Sequence, residues 1–338
     1  MSAALLLDRA RVERLLLPAA CIAAVEAAFK ALALGQVPAP GVLGMHAENG
    51  GFHVKAGFLA ADRPYFAAKI NANFPGNSAR GLPTIQGAVL LFDASDGSLL
   101  AVMDSMAITA LRTAAASAVA AKHLARERCE TLLVCGCGAQ AREQLRALVQ
   151  VRNPRKVLVH DLDESKAARF AAAVGAEIGR KIVPAGDLER AVPGADLLVT
   201  CTTARHHFID AAMVSPGTFI AAVGADSEHK QEIDPKLLAR AKVVTDVTAQ
   251  AAAIGDLHHA LSSGDMTLDD VHAQLGEVVA GLAPGRESDD EITVFDSTGT
   301  GLQDVAASIA LYRIATTEAA GERFDFGRTP DAPVLHCA

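Results

Sequence analysis

The stretch Thr131–Ala141, TLLVCGCGAQA, decides how the rest of the chain is read. An apolar run ends in two cysteines alternating with two glycines, and a helix-like segment, AQAREQLRALVQV, follows. Gly136, Gly138 and Ala141 give the spacing G-x-G-x-x-A. Between a strand and a helix, that spacing has a mechanical meaning. The first glycine turns the chain tightly, the second lets backbone approach a pyrophosphate, and the small third residue lets helix pack on strand. The N–H groups of the first helical turn, at Ala139 and Gln140, then face the anion. The next apolar run, KVLVH, leads to Asp161, about 20 residues past Ala141, where a carboxylate bonds an adenosine ribose and repels a 2′-phosphate. NAD(H) is favoured, with NADP(H) left open by His160 and Lys166 nearby. The plain alternative is an ordinary turn with an unrelated surface Asp. A metal or redox role for Cys135 and Cys137 fits poorly, because no His or Cys cluster nearby completes a tetrahedral set.

Downstream, strands and helices alternate. KVLVH, DLLVTCT, TFIAAVG, KVVTD and ITVFD are near-continuous apolar runs, as buried parallel strands are, with helical stretches such as DESKAARFAAAVG between them. Thr202, closing DLLVTCT, is a further cofactor candidate. Upstream, residues 37–103 change character. FHVKAG, YFAAKI, GAVLLFD and SLLAVMD read as short strands separated by turns such as FPGNSARG and ASDG, an antiparallel or mixed sheet. LPAACIAAVEAAFKALALGQ is expected to be a helix, with Pro18 at its start and Gly35 at its end. DSMAITALRTAAASAVAAKHLARE is another, capped by Asp104 or Ser105. The fold class is α/β: a doubly wound parallel sheet beside a second, mixed α+β part. From about Thr329 the chain reads as a C-terminal tail.

The bulk numbers agree. A chain of 338 residues, 51% hydrophobic and 21% charged, is long enough for two domains and too apolar for disorder. A net charge of −8 with no long Lys/Arg run excludes nucleic acid and anionic membrane as expected partners. Asp8, Arg9, Arg11, Glu13 and Arg14 interrupt the N-terminal apolar residues, so neither a signal peptide nor a membrane span fits, and a cytoplasmic protein is expected. The six scattered cysteines then read as buried or free thiols, and no metal is expected.

Three charged residues interrupt apolar segments. Lys69 lies in YFAAKINANFPGN, and Arg112 in an alanine-rich helical face. Together an ammonium and a guanidinium make a carboxylate receptor. Taken singly, each is also explained by an ion pair or a side chain reaching to solvent. Asp226 follows TFIAAVGAD, at a strand's carboxyl end, where open α/β sheets place ligands. A helix cap or loop carboxylate is its alternative.

These stretches resemble the ornithine cyclodeaminase/μ-crystallin family. The resemblance rests on KINANFPGN with GLPTIQG, ITALRTAAASAVAAKHLA, CGCGAQA, VGADSEHKQEID and VFDSTGTGLQDVA, and runs over nearly the whole chain. It implies a Rossmann domain at 119–304 and a discontinuous substrate and dimerisation domain at 1–118 and 305–338, in a homodimer. It implies that Lys69, Thr84 and Arg112 bind the substrate carboxylate, that Asp226 is catalytic, with Lys69 counted beside it, and that Ser297, Thr298 and Gly299 line the cofactor. The activity it implies is hydride transfer between a nicotinamide and an α-carbon beside a carboxylate. The chain departs from the family's cyclodeaminases, which carry a Glu for the far amine of ornithine in the strand that reads GFHVKAG here. His53 and Lys55 stand in that stretch as substrate-side candidates, and a cation there holds a second ammonium poorly. The loop GADSEHKQE also has Glu228 and His229 in place of the family's Pro-Gly. The expected function is therefore NAD(P)H-dependent reduction of a small cyclic imino acid. Ornithine cyclodeaminase, an alanine-dehydrogenase-like enzyme and a non-catalytic binder are the alternatives.

Overall fold

The computed structural model describes residues 3–326; the tail read from Thr329, and Cys337 with it, lie outside the described residues. The first part of the chain runs β1 (Ala4–Leu7), α1 (Arg9–Leu15), α2 (Pro18–Ala33), β2 (Gly41–Ala47), β3 (Gly50–Ala60), β4 (Pro64–Asn73), β5 (Ile85–Asp93), β6 (Leu99–Asp104) and α3 (Ser105–Leu124). A fingerprint-bearing part follows: β7 (Thr131–Cys135), α4 (Ala139–Val151), β8 (Lys156–His160), α5 (Glu164–Ile178), β9 (Ile182–Pro184), α6 (Leu188–Ala191), β10 (Leu197–Thr200) and β11 (Phe219–Ala222). It continues through α7 (Pro235–Arg240), β12 (Lys242–Thr245), α8 (Thr248–Ile254), α9 (Asp256–Ser263), β13 (Ala273–Gln274), α10 (Leu275–Val279) and β14 (Thr293–Asp296). Helix α11 (Gly301–Thr317) and β15 (Glu322–Phe324) then return to the first part.

Two sheets result. One has the order β15-β1-β6-β5-β4-β3-β2, and it is antiparallel apart from the β1–β6 pair. The other, β13-β12-β14-β11-β10-β7-β8-β9, is parallel throughout. From β7 the chain winds outward through β8 and β9, then returns to β10 on the other side. The switch point therefore lies between β7 and β10, where doubly wound sheets open a crevice at their carboxyl ends. Strands β7, β10, β11 and β14 are buried on both faces, as in a sheet covered on both sides.

The antiparallel sheet has unlike faces. Register pairs Lys55 with Lys69 and Lys69 with Val89, so these side chains share the face covered by α3 and α11. The opposite face carries Phe58, Phe66 and Phe92 in a ring-to-ring ladder across three strands. Helix α3 starts where Asp104 accepts from the N–H of Ala107, which settles its cap, and its alanines pack against α2, α4 and α11. Cys21, Cys129, Cys135, Cys137 and Cys201 are free. Among the described residues no single helix is long and apolar enough to cross a membrane.

Candidate active site

A cleft of about 560 Å³ opens between the two sheets. Its walls come from the β4–β5 loop (Thr84), α3 (Thr109, Arg112), the start of α4 (Ala139, Gln140), the ends of β10 and β11 (Thr202, Gly224, Asp226) and the loop after β14 (Ser297, Thr298, Gly299). Cys201 and Thr202 also line a second cleft of about 610 Å³ with Gly136, Gly138, Asp161 and Lys166. The two therefore meet at the switch point.

The second cleft fits an adenine dinucleotide. Gly136 adopts φ +97, and a Cβ there would stand 2.9 Å from the carbonyl oxygen of Cys201. A Cβ on Gly138 would meet nothing, so the backbone there is open to a close-lying pyrophosphate. Gly138 caps α4 without a side-chain bond, and no acidic residue occupies the first turn, so the helix presents bare N–H groups. Ala141 is wholly buried, and Gln140 donates to the carbonyl of Ala110 at 3.4 Å, seating α4 on α3. Asp161 Oδ2 accepts from the Cys137 N–H at 2.9 Å and from Lys166 Nζ at 2.6 Å. Burial would raise its pKa, but Lys166 and these N–H groups outweigh that and hold the carboxylate ionised. The thiols do not look reactive: burial pushes Cys137 up to about 11 and Cys135 higher still.

At the far end of the first cleft, cations gather. Lys69 and Arg112 are 4% exposed, and both reach Asp304 on the first turn of α11. Lys69 Nζ lies 2.9 and 2.8 Å from the two carboxylate oxygens and 3.2 Å from Thr109 Oγ1. Arg112 donates through Nε to Asp304 at 3.0 Å and through Nη1 to Gln303 Oε1 at 2.8 Å. Its guanidinium lies against Gly299, where any side chain would collide with it. Burial pushes Lys69 down to about 7; Asp304 opposes that, while Arg112 and Lys55 add to it.

The sequence-based candidates divide. Thr84, Arg112, Asp226, Thr202 and the Ser297–Gly299 loop line the cleft, and Lys69 stands behind Thr109. Asp226 is exposed and pairs with Lys230 Nζ at 2.6 Å, one helical turn along the loop where Glu228 and His229 stand. Lys55, expected at the substrate, is turned elsewhere: it donates to the carbonyl oxygens of Gly299 at 2.5 Å and Thr298 at 3.3 Å. It thus straps β3 to the loop after β14. His53, two residues along the same face, is exposed and lies outside the cleft lining, because the strand carries it toward the β2–β3 turn.

A profile of the ornithine cyclodeaminase/mu-crystallin family matches residues 3–318. The chain belongs to this family. It is 39% identical over 325 residues to an alanine dehydrogenase of Archaeoglobus fulgidus, covering 96% of this chain and 99% of that one. A solved archaeal alanine dehydrogenase dimer with bound NAD superposes with a TM-score of 0.90, at 38% identity over 96% of this chain and 99% of that one. The Δ1-pyrroline-2-carboxylate reductase of Thermococcus litoralis, solved with NADH and L-proline, gives 0.89 at 33% identity, covering 94% and 99%.

Several further residues of this family member's site are marked weakly or not at all in the sequence. Asp304 and Gln303 give a weak signal, a polar pair inside the apolar run GLQDVAASIALY. Glu232 and Asp246 give none. Glu232 accepts from the Thr202 N–H and hydroxyl and from the Gly224 N–H, all at 2.7 Å. Asp246 accepts from Thr298 Oγ1 at 2.8 Å and the Gly299 N–H at 2.5 Å. Both build the cleft walls from below.

Proposed function

We propose that this protein is an NADH-dependent reductase of a small cyclic imino acid, of the Δ1-pyrroline-2-carboxylate or Δ1-piperideine-2-carboxylate type, yielding the L-amino acid. The observation that carries this reading is Arg112 in the wall of the first cleft, with Lys69 behind it on the same carboxylate, where that cleft meets the one lined by the dinucleotide fingerprint. The bound dihydronicotinamide supplies the hydride. Everything else falls to the chain's own residues. Arg112 and Lys69 bind the carboxylate, with Thr84 beside them. Asp226, at the carboxyl end of β11, accepts the hydrogen bond of the protonated imine nitrogen and so favours the electrophilic iminium. The loop Ser297–Gly299, held by Asp246, Gln250 and Lys55, supports the cofactor's nicotinamide half. Positioning two carbons in a site walled by both sheets is the larger part of the catalysis. Asp161 beside the ribose position favours NADH over NADPH.

The domain division belongs to the same reading: residues 1–118 with 305–338 form the part that carries Lys69, Thr84 and Arg112, and 119–304 the dinucleotide-binding part, whose last residue, Asp304, reaches across to both cations. Residues 118 and 305 fall inside α3 and α11, so the halves are joined through continuous helices. A homodimer completes the proposal, supported by the solved archaeal dimer and by the apolar outer face of the antiparallel sheet.

Amino-acid dehydrogenation is the second reading, since the A. fulgidus relative is an alanine dehydrogenase. One absorbance panel separates the possibilities: NADH or NADPH with each cyclic imine, pyruvate with ammonia, and ornithine with NAD. Oxidation of NADH fastest with a cyclic imine is expected. Faster oxidation with pyruvate and ammonia establishes the dehydrogenase instead, and ammonia released from ornithine without net NADH change establishes a cyclodeaminase.

A further inference from the structure

Lys69 and Arg112 share one carboxylate, Asp304, which no part of the carboxylate-binding role requires. Two cations would bind an anion more strongly if a carboxylate did not already sit between them. The arrangement is informative for that reason. Lys69 projects from β4 into a space faced by Lys55 on β3, Arg112 and Thr109 on α3, and Asp304 on α11; its β5 neighbour, Val89, carries no charge. Lys55 is answered by Asp246, which bonds the same Ser297–Gly299 loop, so Lys69 and Arg112 against Asp304 leave the receptor one net positive charge, and Asp226 and Lys230 offset one another at the cleft mouth.

We propose that Asp304 is the positioning residue of the carboxylate receptor: it orients Arg112 and holds the proton on Lys69, so that substrate carboxylate binding is linked to protonation of Lys69. The inference rests on the reductase reading above. The physics runs through burial. An ammonium as enclosed as Lys69, with Lys55 and Arg112 nearby, loses its proton readily, and its titration falls near neutrality. Asp304 opposes this from 2.8 Å. Once Lys69 is neutral, Asp304 cancels Arg112 and the receptor retains little net attraction for an anion. A bound substrate carboxylate adds a second negative neighbour and draws the proton back onto Lys69. Binding above neutral pH therefore takes up a proton from solvent.

Pyrrole-2-carboxylate, a planar and non-reducible carboxylate, tests this as a competitive inhibitor of the NADH-loaded enzyme between about pH 6 and about pH 9, where the probe itself does not titrate. In the wild-type enzyme its inhibition constant should be level below a midpoint near neutrality and then rise by about tenfold per pH unit. In Asp304→Asn the midpoint should move down by about one pH unit or more, the usual effect of losing an adjacent opposite charge, while NADH binding measured by fluorescence is retained. Should Asp304→Asn not fold, Lys69→Arg replaces the titrating ammonium with a guanidinium, and its inhibition constant should lose the rise with pH. A wild-type inhibition constant that stays level to about pH 9 overturns the linkage. So does an Asp304→Asn variant weakened equally at every pH with its midpoint unmoved, since that is what a merely structural residue gives. No inhibition at any pH removes the carboxylate receptor itself, and with it the reductase reading.

Discussion

Asp226 is the most exposed member of the proposed catalytic set, and its partner Lys230 is part of the same loop. An exposed ion pair contributes little to stability, so its replacement has a small effect on folding and a large one on chemistry. Asp226→Asn retains the shape and removes the charge that favours an iminium. Turnover at saturating NADH should fall by about a hundredfold or more, with the cofactor's affinity unchanged. Steady-state kinetics with a cyclic imine measure this; turnover within a factor of about two of wild type would remove Asp226 from the mechanism. Lys69, Arg112 and Asp226 were legible in the sequence for one physical reason: each is a charge at the end of, or inside, an apolar segment, where a bare charge is costly. Asp304 carries the same signal, and its meaning lies in partners on β4 and α3, distant in sequence, that only the fold brings to it. Lys55 shows the limit of such reasoning. Its charge is plain in the sequence, but its direction depends on where the loop after β14 passes over β3.

Between residues and the whole stands the tie that Glu232 makes at the switch point. Its two oxygens accept from Thr202 at the end of β10 and from Gly224 at the end of β11, so one buried carboxylate sets the spacing of two strand ends that wall the cleft. Asp256 in turn accepts from the N–H groups of Glu232 and Ile233. Burial pushes the Glu232 carboxyl above its ordinary range, against the hydrogen bonds that Thr202 and Gly224 give it. Glu232→Gln turns an amide donor toward at least one of these N–H groups, leaving donor against donor. A buried bond to a charged group lost in this way costs about 1–3 kcal/mol, and NADH affinity should weaken by roughly tenfold, the equivalent of about 1.4 kcal/mol. Fluorescence titration and a thermal melt report both effects; NADH affinity equal to wild type would show that the tie does not shape the cofactor site. The core strands were legible because apolar runs bounded by glycine, asparagine and proline say strand without help from elsewhere. The edges were not. β1 and β15 are 4 and 3 residues long and exist only through pairing with one another and with β6. β2, GVLGMHA, is exposed along its length, so its pattern has no buried face to betray it.

At the scale of the molecule, the antiparallel sheet poses the last question. Its inner face is occupied by α3, α11 and the cation cluster. Its outer face presents Leu43, Met45, Phe52, Phe58 and Ile70, which are 41–60% exposed in the single chain. The register leaves no ambiguity, since Val54 pairs with Ile70 and Phe58 with Phe66, so these side chains stand together across β2, β3 and β4. A contiguous apolar patch of this kind, on a chain with 21% charged residues available to cover it, suits the proposed dimer interface. An isologous dimer, in which the same sheet face meets its copy, covers the patch without leaving an open end for further chains. The aromatic ladder Phe58–Phe66–Phe92 would lie near the centre of such a contact, where aromatic anchors contribute most. The double substitution Phe58→Asp with Ile70→Asp places two carboxylates in that contact. Wild-type protein should sediment at about twice the 35.0 kDa chain mass, and the variant at the chain mass. NADH binding should survive in the variant, because the fingerprint belongs to the other sheet, while imine reduction should fall, because Ile70 is next to Lys69 and the strand that carries the receptor loses its cover. A wild-type protein that sediments as a single chain, or a variant still dimeric, would place the interface elsewhere. A monomer retaining full activity would show that the outer face supports assembly alone and that the receptor on its inner face is held rigid by α3 and α11 without it.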